Sequence, residues 1–263
     1  MLTKRLIACF DIIKGRVTKA VRFQDNIDVA EACELASVMY DEQIDELIFY
    51  DITASSEKRR IDIDTVKRVA ERVFIPFTVG GGIKDLDDMY EALKAGAEKI
   101  SVDSMAVRNP SIITDGAKAF GSQCVVLSTQ VKRTAVTEKI PSGYEVYIDG
   151  ARLATGMDAV EWIKRGQELG AGEICVNSID NDGTLSGYDL KIMKLAEAAV
   201  SVPLIASGGA GAPEHLKSLF TETEALAAII SSMLYSPRLE RNYPVRELKT
   251  YLIENGVNVR PPL

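Results

Sequence analysis

The stretch LIACFD, Leu6 to Asp11, places five apolar residues in a row and then a carboxylate. So short a run, apolar on every residue with no polar alternation, reads as a strand buried on both faces. Seven more runs of this kind follow: ELIFYD (46–51), PFTVGG (76–81), KISVDS (99–104), CVVLSTQ (124–130), EICVNSI (173–179), PLIASGG (203–209) and ALAAIISSM (225–233). Segments with helical spacing separate them, among them DTVKRVAERV (64–73), DLDDMYEALKAG (85–96), DAVEWIKRGQELG (158–170) and VRELKTYLIENG (245–256), the last closed by a glycine. Parallel sheets require burial on both faces, and eight strand–helix units are the number that closes an α/β (βα)8 TIM barrel, parallel and eight-stranded. No Pro/Ser-rich linker or change of composition divides the chain, so residues 1–263 read as a single barrel domain. Residues 134–150, TAVTEKIPSGYEVYIDG, read as a long strand-to-helix loop that carries a hairpin.

Composition narrows the function classes. The chain is 46% hydrophobic and 26% charged, the balance of an ordinary globular protein with ample material for a core. A net charge of -7 argues against nucleic acid, because a surface that displaces counterions from phosphates is basic. The N-terminal MLTKRLIACFD has a basic start, but its apolar run is short and ends on Asp11, which makes it a first strand and not a signal peptide; no longer apolar stretch suggests a membrane partner. Cys9, Cys33, Cys124 and Cys175 are scattered singly, so neither a disulfide framework nor a metal site is indicated. The expectation is a cytoplasmic protein that acts on a small molecule, with no metal and no cofactor.

In a barrel of this class the chemistry sits at the C-terminal ends of the strands. The residues that finish the runs are Asp11, Asp51, the Gly80-Gly81-Gly82 turn, Asp103 with Ser104, Gln130, Asn177 with Ser178, Ser207-Gly208-Gly209, and Ser231 with Ser232. Two of these turns, TVGGGIKD (78–85) and ASGGAGAPEH (206–215), are glycine-rich. Backbone amides without side chains can point at an anion, so Gly81, Gly82, Gly208 and Gly209 read as two phosphate cradles on opposite sides of the barrel. Tight turns need glycine in any case, so the same residues also fit a purely structural role. The single histidine, His215, reads as a surface or capping residue, and SSEKRR (55–60) as a solvated face.

The motifs MLTKRLIACFD, GRVTKAVRFQ, DELIFYDITAS, IPFTVGGGI, FGSQCVV, TGMDAVEW, NDGTLSGYD, IASGGAG and ENGVNVR run from end to end of the chain, which resembles the cyclase-subunit family of imidazole glycerol phosphate synthase. The resemblance implies a class I glutaminase docked on the N-terminal face and ammonia passing through the barrel. At the other face the ammonia meets a ribulosyl aminoimidazole carboxamide ribotide with two phosphates, and lysis with ring closure gives imidazole glycerol phosphate and an aminoimidazole carboxamide ribotide. It further implies an ammonia gate of Arg5, Glu46, Lys99 and Glu173, where alternating charges make sense as a mutually paired ring. Lys19 and Phe23 match a loop that closes over substrate, and Asp51, Asp182, Ser207 and Ser232 match further site positions.

The chain departs from that family at three neighbouring positions. Asp11 matches one of two carboxylates that exchange protons, but the position of the second is Gln130, which cannot exchange a proton near neutral pH. Asp103 stands where an asparagine helps to hold a phosphate, and Asn177 where a threonine is usual. The leading expectation is therefore a paralogue with impaired cyclase chemistry that conducts ammonia to a third protein, an amidotransferase acting on a surface-polysaccharide sugar. The alternative is a functional cyclase of histidine biosynthesis in which Asp103 supplies the missing carboxylate.

Overall fold

A computed structural model describes residues 2–21, 24–54, 59–237 and 239–263, with the side chains of residues 20–26 outside the description. Phe23 and residues 55–58 of the run at 55–60 lie outside the described residues.

Eight parallel strands form the barrel: β1 (Arg5–Ile13), β2 (Glu46–Asp51), β3 (Phe77–Gly80), β4 (Lys99–Val102), β5 (Val125–Arg133), β6 (Glu173–Ser178), β7 (Leu204–Ser207) and β8 (Ala227–Ile230). Each pairs with its neighbours in sequence, β8 returns to β1, and pairing of β5 with β6 completes the ring. The expected (βα)8 architecture is therefore present. Its strands coincide with the apolar runs because each run has two cores to serve. Alternate residues such as Ile7, Ile48, Val126, Cys175, Ile205, Ala227 and Ile229 fill the barrel interior. The residues between them, among them Leu6, Ala8, Phe10, Leu47 and Phe49, pack outward in the larger core shared with the helices. Phe10, Phe49 and Phe77 continue that outer layer, the first pair tilted and the second edge-on, with ring centroids 5.3 and 5.7 Å apart.

Two antiparallel excursions leave the barrel at its C-terminal end. The end of β1 folds back on residues Arg16–Val21, which pair in turn with Gln24–Glu31. Lys14 and Gly15, both at positive φ (49° and 77°), make the two-residue turn between the first two strands, as the right-handed twist of a hairpin prefers. The loop that carries Lys19 is thus a hairpin at the barrel mouth. The second excursion is the expected hairpin: β5 continues to Arg133 and pairs with Tyr144–Ile148, which pairs with Leu153–Asp158. The helix that follows, Ala159–Leu169, is capped by Asp158, whose carboxylate accepts from the backbone N–H groups of Val160 and Glu161, and it ends on Gly170 at φ 110°.

The last helix, Val245–Glu254, is tied to the foot of β1 by a fully buried cation. The Lys249 ammonium donates to the Gln43 carbonyl and to Asp45 Oδ1, each at 2.6 Å, while Asp45 Oδ2 accepts from the Leu6 N–H at 2.8 Å. Removing one member of a buried pair strands the other in apolar surroundings. Lys249→Ala is expected to lower the unfolding free energy by about 3–5 kcal/mol, seen as a lower urea midpoint with an unchanged slope.

Candidate active site

Period-two alternation that points Ile7 and Ile48 inward also points the last residues of each strand into the barrel mouth. There they line a cavity of about 760 Å³, within the range of sites that enclose a small molecule. Of the residues singled out in the sequence, Asp11, Lys19, Asp51, Gly81, Asp103, Ser104, Gln130, Asn177, Asp182, Ser207, Gly208 and Ser232 all face this space. Gly82 and Gly209 do not line it. A Cβ on Gly209, which sits at φ 106°, would come within 2.0 Å of the Gly187 carbonyl oxygen, so packing between turns already requires glycine there. Gly81, at φ 82°, is similarly pressed against the Asp51 carbonyl, at 2.3 Å from where a Cβ would stand. Arg108, Asp149 and Arg152 also line the cavity and were not found in the sequence. They come from the end of a short helix and from the tip of the second hairpin, and no strand-end pattern marks them.

The carboxylates differ in what holds them. Asp51 is already neutralised by Arg59 through contacts of 2.5 and 2.7 Å, and it accepts further from the Ala54 N–H, so it fixes its own loop. The Asp11 side chain is only 28% exposed, and the enclosing barrel pushes its carboxyl above the usual carboxylate range; the Lys19 ammonium, 3.8 Å away, pulls it part of the way back. Asp182 is raised by the same enclosure, lowered by Lys19 and raised again by Asp11. The buried Lys19 also donates to Ser231 Oγ at 2.8 Å, which fixes it across the mouth between β1 and β8.

On the far side Gln130 and Asp103 form a pair. The Gln130 amide nitrogen donates to Asp103 Oδ2 at 3.0 Å, and the Ser104 backbone N–H donates to Asp103 Oδ1. Among the described residues the other end of the Gln130 amide, its buried Oε1, has no hydrogen-bond partner, and neither has Asn177 Oδ1 on the neighbouring strand, where the two residues are in register. Two acceptors are thus available to N–H donors of a ligand. His215 takes the capping role: its Nδ1 accepts from the Gly211 N–H at 3.2 Å.

From the cavity floor, which Cys9 and Tyr50 line, down to the foot, the barrel interior changes character twice. Burial pushes the Cys175 thiol up to about 12 and raises the Cys9 thiol and Tyr50 phenol as well, so this layer is polar but uncharged near neutral pH. At the N-terminal end, Arg5 contacts Glu46 at 2.5 Å and Glu173 at 2.9 Å, and Lys99 contacts the same two carboxylates at 3.3 and 2.9 Å. Arg5, Glu46, Lys99 and Glu173 thus form a closed ring of alternating charge. Burial acts to lower the Arg5 guanidinium, and the attraction of both glutamates more than offsets it.

Residues 5–240 match the family described as histidine biosynthesis protein. The imidazole glycerol phosphate synthase subunit HisF of Desulfatibacillum aliphaticivorans is 52% identical over 263 residues, covering 100% of both chains. The subunits of the same name from Syntrophobacter fumaroxidans and Desulfosudis oleivorans are each 51% identical over 260 residues, covering 99% of both chains.

Lys19 lowers the titration of both Asp11 and Asp182, so removing its charge must move them toward higher pH. In Lys19→Met the carbon-13 carboxyl titration midpoint of Asp11 is expected to rise relative to the parent protein; an unchanged or lower midpoint would contradict the assigned electrostatics.

Proposed function

The chain belongs to the histidine biosynthesis protein family, in its HisF branch, and from that premise we propose that it is a working cyclase subunit of imidazole glycerol phosphate synthase. The observation that carries the reading is the arrangement of the barrel interior: a ring of paired charges at one end and a cavity with carboxylates on opposing walls at the other. A glutaminase subunit on the N-terminal face supplies ammonia. The ammonia enters between Arg5, Glu46, Lys99 and Glu173 and rises past the uncharged layer of Cys9, Tyr50 and Cys175. In the cavity it meets the ribulosyl aminoimidazole carboxamide ribotide, whose two phosphates lie at the Gly81–Ser104 and Ser207–Gly208–Ser232 sides. The setting for the whole assembly is the cytoplasm, and among the described residues no helix is long and apolar enough to cross a membrane.

Condensation of ammonia with a carbonyl, followed by lysis and ring closure, moves protons onto and off nitrogen, oxygen and carbon, and this needs an acid and a base held apart. Asp11 is the group biased toward its protonated form. Asp103 is the second, held by Gln130 and able only to accept from the two donors that reach it. Gln130 alone favoured a conduit with lost cyclase chemistry that feeds a sugar amidotransferase. The carboxylate hydrogen-bonded to it supports the cyclase reading instead, and the relatives named above are subunits of the synthase.

The test is turnover of the purified chain with the ribulosyl substrate and ammonium salt. The unmodified protein is expected to form imidazole glycerol phosphate, and Asp11→Asn and Asp103→Asn each to reduce kcat by about 10²–10⁴-fold. No product from the unmodified chain overturns the reading and returns the conduit to first place.

A further inference from the structure

The described side chains that line the cavity carry more negative than positive charge. Asp11, Asp51, Asp103, Asp149 and Asp182 stand against Lys19, Arg108 and Arg152. Arg59 offsets Asp51 from behind, and Lys19 is engaged on the wall of Asp11 and Ser231. The opposite wall, with Asp103 and Ser104, must nevertheless accept a phosphate if the substrate carries one at each end, and each phosphate brings about -1.5 to -2 charges. A carboxylate at position 103 makes that harder by like-charge repulsion.

Arg108 and Arg152 are the cations placed to answer it. Arg108 ends the helix Ser104–Arg108, and its positive charge acts on Asp103 as well as Asp149. Its guanidinium donates to Asp149 Oδ2 at 2.6 Å, with side-chain exposures of 47% and 36%. An ion pair this open to water is weak and easily exchanged. The hairpin tip that supplies Asp149 and Arg152 is anchored to the same wall, because the Asp149 N–H donates to Ser104 Oγ at 2.9 Å, and the turn itself is closed by the Arg152 N–H donating to the Ile148 carbonyl at 3.1 Å. Asp149 and Ala151 both adopt left-handed conformations, φ 57° and 64°, that non-glycine residues disfavour. Strain kept at a cavity rim marks a position that the fold holds for a reason.

We infer that Arg108 and Arg152 form a clamp for the phosphate lodged against Ser104, with Asp149 as a stand-in anion that Arg108 releases when the phosphate arrives. The inference rests on the reading of a substrate with two phosphates. Guanidinium suits the role, since its planar fork takes two phosphate oxygens at once and keeps its charge at any working pH.

Inorganic phosphate is the probe, titrated into the full chain by calorimetry and by phosphorus-31 NMR. The double variant Arg108→Ala/Arg152→Ala is expected to weaken one phosphate site by about 10–100-fold and leave the site at Gly208 and Ser232 unchanged. Asp149→Ala is expected to tighten phosphate at the first site, because it removes the competing anion, and a merely structural role would not give that sign. In turnover the arginine variants raise KM with kcat within about threefold, as loss of uniform binding requires. Unchanged phosphate affinity in the double variant, weaker binding in Asp149→Ala, or no phosphate binding by the unmodified chain each overturns the clamp. Arginine-dependent phosphate binding without any turnover would sink the cyclase reading and leave the clamp standing; turnover with arginine-independent binding would do the reverse.

Discussion

Closure of the sheet between β5 and β6, from Val126 opposite Glu173 to Val131 opposite Ser178, is the constraint on which everything else rests. An open sheet has two faces, whereas a closed one has an inside, and only then does period-two alternation send a fixed set of residues toward a common axis. The same ladder sets Gln130 beside Asn177 at the mouth and Glu173 at the foot, so one register assigns the ring, the uncharged layer and the cavity floor together. A slip by one residue along β6 would turn Glu173, Cys175 and Asn177 outward into the helices, which is why register and function are inseparable here.

Charge inside the barrel is confined to its two ends for an energetic reason. A lone ion in the middle would lose its hydration with nothing to replace it, while at the foot each cation of the ring faces two carboxylates and each carboxylate two cations. The intervening thiols and phenol are kept neutral by the same low-dielectric surroundings. A small neutral molecule crosses such an interior more readily than its ionised form. If the barrel conducts ammonia as the proposed function holds, the layering suits ammonia in place of ammonium.

The fold was legible because LIACFD and its seven counterparts carry the signature of burial on both faces, and helix ends such as Asp158 and Gly170 announce themselves by local chemistry. The strand-end residues were legible for the same reason, since position along a strand fixes direction. Contacts made by hairpins were not. Lys19 reaches Ser231 across 212 residues of sequence because a two-residue turn at Lys14 and Gly15 folds it over the mouth, and Arg108 meets Asp149 only because the second hairpin curls back to Ser104. Glycines were legible as turns, but not which of them face the cavity: Gly81 and Gly208 do, Gly82 and Gly209 do not.

The amide at position 130 has a different meaning once its neighbour is in view. Read by itself, Gln130 is a catalytic carboxylate lost; hydrogen-bonded to Asp103, it is one half of an amide–carboxylate pair whose acidic member sits on β4's end instead of β5's. Proton chemistry depends on where a carboxyl oxygen reaches, and two side chains 3.0 Å apart reach into the same volume. Asp11, enclosed and biased toward its neutral form, faces a carboxylate whose oxygens accept from an amide and a backbone N–H. Under the proposed function this placement has a consequence for binding, since the carboxylate then stands beside a phosphate of the substrate, and such a site needs positive charge from beyond the strand ends.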